Sequence, residues 1–134
     1  MTQEEKDLLF KDLCARLPYG VKVKYLYWDE NKECEYPIAM VLDSINSDGY
    51  IKFHGDIAEG EGSGMLTQNL PYLRSLSNMT DEEEDEYRAI NCYEGVFPRN
   101  EDALDYALEH HLDIRNLIGK GLALEAPAGM YETE

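Results

Sequence analysis

The sequence predicts an α+β domain spanning residues 1–134: an N-terminal helix, then a small bent antiparallel sheet of three to five strands (an SH3-like barrel is one form it could take), then C-terminal helices. Three observations predict it. Apolar residues recur every four positions near the start, residues 21–54 alternate between turn signals, and helical spacing returns after residue 80. Helices and strands segregated along the chain favour α+β over a parallel doubly wound sheet.

The elements follow in order. Thr2 and Glu5 form a capping-box pattern, and Leu9, Leu13 and Leu17 then trace one apolar face, predicting a helix over about residues 3–17. Cys14 lies beside that face and reads as core. Pro18-Tyr19-Gly20 stops the helix. Residues 21–28 alternate, with Val21, Val23, Tyr25 and Tyr27 on one face and Lys22, Lys24, Leu26 and Trp28 on the other. A polar turn at 29–32 leads to a second strand over Tyr36–Ile45, with Pro37 suited to its start or to an edge. Asn46-Ser47-Asp48-Gly49 is a hairpin signal, and Tyr50–His54 is the returning strand. Residues 55–64 read as an acidic, Gly-rich loop, and Met65–Leu76 as one more short strand ending near Pro71.

Thr80 and Glu83 repeat the capping box ahead of a helix over about 81–92, with Tyr87 and Ile90 inward. Asn100 is the next N-cap, and Leu104, Ala107, Leu108, His111 and Leu112 line the helix behind it. Asp113–Ile118 reads as a further short helix closed by Gly119 and Gly121. Residues 122–134 read as a tail that docks through Leu122 and Leu124.

Charge is the strongest compositional signal. Twelve basic residues against 28 acidic ones give a net charge of −16. Such a surface repels nucleic-acid backbones and anionic membranes and attracts basic partner surfaces. Direct nucleic-acid or membrane binding is not expected; Lys22 and Lys24 beside Tyr25 are too few to offset the balance. The polar residues 1–7 do not read as a signal peptide, and no run approaches a membrane span. Cys14, Cys34 and Cys92 are odd in number and widely spaced, which suits free thiols in a cytoplasmic setting.

Candidate sites are few. Asp81, Glu82, Glu83, Glu84, Asp85 and Glu86 form the densest acidic run and the candidate partner-binding surface. The simpler reading is a solvated helix start whose acids favour the positive end of the dipole. His110 and Asp113 are spaced as an i, i+3 metal pair, although zinc needs further ligands from elsewhere. The plainer alternative packs His111 beneath the helix and leaves His110 solvated. His54 and Asp56 flank Gly55 and suit general-base chemistry, or simply a strand end. The Gly-rich loop lacks the Lys and Ser/Thr of a phosphate cradle. No cofactor motif is present, and no catalytic set is evident.

Three stretches, Asp12–Lys22 (DLCARLPYGVK), Pro71–Tyr87 (PYLRSLSNMTDEEEDEY) and His110–Tyr131 (HHLDIRNLIGKGLALEAPAGMY), resemble an uncharacterised family of small proteins from gut anaerobic bacteria and their phages or mobile elements. The resemblance implies a mobile-element origin and a cytoplasmic setting. It transfers no catalytic residue.

The sequence therefore points first to a non-enzymatic interaction or accessory protein with an acidic surface and a basic protein partner. The alternatives, in order, are a structural component that self-associates, and a small-ligand or metal-binding enzyme using His54/Asp56 or His110/Asp113.

Overall fold

The computed structural model describes residues 2–55, 61–92, 98–127 and 129–131. The fold is α+β, with an N-terminal helix, a curled four-stranded antiparallel sheet and helices after it. The chain divides into two compact units, Met1–Tyr72 and Leu73–Glu134. No helix among the described residues is long and apolar enough to cross a membrane.

In the first unit, helix α1 (Gln3–Arg16) begins as the sequence predicts: the Thr2 hydroxyl accepts the Glu5 amide at 3.1 Å, and the Glu5 carboxylate accepts the Thr2 amide at 2.9 Å. A short 3-10 turn, Leu17–Tyr19, and Gly20 at φ 71° end it. The buried stripe is Leu9, Asp12, Leu13 and Arg16. The prediction that Cys14 is core fails, because the inward face turns toward positions 12 and 16 and leaves Cys14 exposed. Asp12 and Arg16, one turn apart, form an ion pair at 2.6 Å with both side chains 0% exposed.

The sheet runs β1 (Lys22–Asp29), β2 (Cys34–Ile45), β3 (Tyr50–Gly55) and β4 (Glu61–Met65) in that spatial order, every neighbouring pair antiparallel. Val21, Val23, Met40, Leu42, Ile51 and Phe53 are buried, the alternation expected of a sheet with one apolar face. The hairpin at residues 46–49 forms as read: the Asn46 side chain accepts the Asp48 and Tyr50 amides, and Gly49 takes φ 86°.

The Gly-rich stretch is corrected in part. Gly55 ends β3 and residues 61–65 form β4, while 56–60 lie outside the described residues. Glycine suits β4 because the Phe53 ring lies over Gly62; a Cβ there would stand 2.5 Å from Phe53 Cε2. The strand expected within Met65–Leu76 forms later and shorter than read: residues 66–69 turn, Pro71 makes an isolated bridge to Val23, and only Tyr72–Leu73 form a strand, β5.

The boundary between the units falls within β5 (Tyr72–Leu73); the second unit holds helix α2 (Asp81–Asn91), helix α3 (Glu101–Glu109) and β6 (Leu124–Glu125), which pairs with β5. Both helices start at their predicted caps, Thr80 and Asn100. Helix α3 is shorter than predicted. His110 is its C-cap, and His111 takes φ 60°, so His111 and Leu112 are buried beyond the helix rather than on it. Residues 113–118 form turns, not a helix, because Asn116 is left-handed at φ 56°. The tail docks through buried Leu122, Ala123 and Ala126, with Leu124 half-buried in β6.

Candidate functional site

The acidic run divides into structural and free carboxylates. Glu83 is structural. Its oxygens accept from both terminal nitrogens of Arg74, at 2.7 and 2.6 Å, and one of them also accepts the Thr80 amide at 3.0 Å. The Arg74 fork further donates to the carbonyls of His110 and Asn78, both at 3.3 Å. Arg74 and Glu83 are 19% and 15% exposed, and the guanidinium pulls the Glu83 carboxyl down to about 2. His110 Nδ1 lies 3.3 Å from the same carboxylate.

Glu84 pairs with Arg88 at 2.5 Å on the surface, where such a pair contributes little. Glu86 accepts the Tyr106 hydroxyl at 3.0 Å. Burial, and then the hydrogen bond to the Glu86 carboxylate, push that hydroxyl well above the ordinary phenol range. The Tyr87 and Tyr106 rings, 5.9 Å apart, pack α2 against α3.

With Tyr87 and Tyr106 inward, the outward faces of the two helices are acidic. Asp81, Glu82, Asp85 and Glu86 are exposed on α2, and Glu101, Asp102, Asp105 and Glu109 on α3. Arg88 is the sole basic residue of either helix. From the sequence, Glu101 and Asp102 read as helix-start acids and Glu109 as a potential metal ligand, and the α3 acids were not read as a partner surface, although 101, 105 and 109 repeat at i, i+4 and i+8, the spacing of one helical stripe.

The other sequence candidates are placed as follows. The Asp113 carboxylate is buried and accepts the Leu117 amide at 2.8 Å and the Ile118 amide at 3.0 Å, which closes the turn. His111 stacks on Tyr131 at 3.8 Å. His54 on β3 donates from Nδ1 to Asp43 at 2.5 Å, both about half exposed. Asp56, the expected partner, lies outside the described residues. Asp43 was missed because it is the extra residue of a bulge, where the β2–β3 register shifts between Leu42 and Ser44. Among the described residues, no group of three or more His, Cys, Asp or Glu side chains is placed to hold a metal ion. Cys34 and Cys92 are exposed free thiols at a strand start and a helix end, and Cys14, also exposed, is desolvated enough by its neighbours to raise its thiol pKa.

Comparison with protein-family models, with curated proteins and with solved structures finds no match for this chain.

Proposed function

We propose that this protein is a non-enzymatic interaction protein, an accessory factor of a phage or mobile element, that engages a basic protein partner through the acidic face of α2 and α3. One observation carries the reading: eight exposed carboxylates on two packed helices, with one basic side chain that is already paired to Glu84. Like charges held on one surface raise the local potential and steer a partner of opposite sign. The interacting groups are Asp81, Glu82 and Asp85 with the α3 stripe. Glu83 holds α2 in place and is not available to a partner. The resemblance of three stretches to proteins of gut bacteria and their phages supports a cytoplasmic, mobile-element setting.

The test is capture from host lysate on the tagged protein at about 50 and about 300 mM salt, with bound proteins identified by mass spectrometry. The expected result is a basic protein retained at low salt and lost at moderate salt. A bound set indifferent to salt, or with no basic member, contradicts the proposal.

A further inference from the structure

The outer edge of β1 offers a second surface, independent of the acidic helices. Leu42 N–H donates to Val21 C=O at 2.9 Å, and the β1–β2 register continues without a bulge from Lys22 to Asp29. The backbone groups of Val21, Val23, Tyr25 and Tyr27 therefore face β2, and those of Lys22, Lys24, Leu26 and Trp28 face away from it. Leu26 sits opposite Pro37, which has no N–H to offer, as this parity requires.

The chain covers the first part of this edge itself. Lys24 N–H donates to Leu70 C=O at 2.9 Å, Lys24 C=O accepts from the Asn69 side chain at 3.0 Å, and Val23 bridges Pro71 in antiparallel sense. The chain then leaves the edge through the turn at Met65–Asn69, where the amides of Gln68 and Asn69 return to Met65 C=O. Beyond it, the edge-facing backbone groups of Leu26 and Trp28 have no hydrogen-bond partner among the described residues. Their side chains are 47% and 53% exposed, on the same face of the strand. An open edge flanked by exposed apolar side chains is the template for strand addition.

The residues around this edge also point to the occupant. Glu30, Glu33 and Glu35 are exposed at the hairpin end, against Lys32 alone. We infer that the edge from Leu26 to Trp28 binds an extended segment of a partner protein, added antiparallel to β1 as residues 70–71 are. The segment carries apolar residues two apart, opposite Trp28 and Leu26, and a basic residue two positions before the first, opposite Glu30. Its pattern is basic–x–apolar–x–apolar, read from its N-terminal end.

Trp28 is the chain's single tryptophan, so its emission reports on the site directly. The probe is the blocked peptide Arg-Lys-Thr-Val-Thr-Val-Thr, titrated into the full chain. The expected result is a saturable blue shift of Trp28 emission with amide shifts in NMR centred on Leu26 and Trp28. N-methylation of the two valine amides removes two ladder bonds and weakens binding about tenfold. Replacing Arg-Lys by Glu-Glu weakens it further. Leu26→Pro removes an edge donor while the strand tolerates it, and lowers affinity by a similar factor with Trp28 still in place as reporter.

Four outcomes overturn the inference. The peptide leaves Trp28 emission unchanged. The N-methylated peptide binds as well as its parent. Leu26→Pro binds unchanged. Or the blue shift follows protein concentration without peptide, which identifies the occupant as a second copy. Charge reversal on α2 and α3 leaves this binding intact, so its failure and that of the acidic-face reading are separable.

Discussion

Glu83 serves three partners at once: it caps α2, clamps Arg74 and faces His110. Its folded-state pKa, about 2, lies below the ordinary carboxylate value of 4.5. The stabilisation is therefore full above pH 4.5 and is lost as pH falls from there toward 2. At neutral pH it amounts to about 3 kcal/mol at most. Glu83→Gln is expected to flatten the acid limb of a denaturant-stability profile between those pH values and to lower stability at pH 7 by about 2 kcal/mol. An unchanged acid limb sinks this assignment. Asp12 and Arg16 raise a different issue, since both charges are fully buried. Asp12→Ala leaves a buried cation without its carboxylate and is expected to cost about 3–5 kcal/mol, measured by chemical denaturation. Asp12→Leu combined with Arg16→Met is expected to recover most of that loss. If the double variant is no better than the single, the pair's worth lies in more than charge compensation.

At the scale of elements, the fit between glycine and aromatic in the sheet gives a prediction of unusual sign. Ala normally outranks Gly in a strand, yet Gly62→Ala is expected to destabilise by about 1–3 kcal/mol, because Phe53 is fully buried and a Cβ would press on its ring. A gain in thermal midpoint would contradict that packing. Much of the element order was legible in the sequence because its signals are local. Thr2, Thr80 and Asn100 cap helices from within one turn, and Asn46–Gly49 closes a hairpin through its own side chain. The misreadings share one cause: each turns on a side-chain contact or a backbone turn that apolar spacing does not register. Gly62 and Gly64 look like loop until Phe53 is placed over Gly62. Residues 113–118 look helical until Asn116 turns left-handed and Asp113 caps Leu117 and Ile118 across that turn. Cys14 looks buried until Asp12 and Arg16 occupy the inward face. In the candidate site, the acidic run was visible as composition. Which of its members are free was not, because Arg74 and Tyr106 come from nine and twenty residues away. The bulge that brings Asp43 to His54 left no signal in either residue's neighbourhood.

At the scale of the whole molecule, the net charge of −16 is unevenly spread. Residues 73–134 hold 15 of the 28 acidic residues but only 5 of the 12 basic ones. High net charge alone aids solubility, so a functional acidic face must be separated from charge in general. The most direct measurement compares partner capture by two variants of equal net charge. One carries Glu82→Lys and Asp85→Lys on the α2 face. The other carries Glu4→Lys and Asp48→Lys in the first unit. The account expects the first variant to lose the basic partner, with at least a tenfold drop in recovery, and the second to retain it. Equal retention, or equal loss, would contradict the central claim that the helix face, rather than the charge of the whole chain, makes the contact.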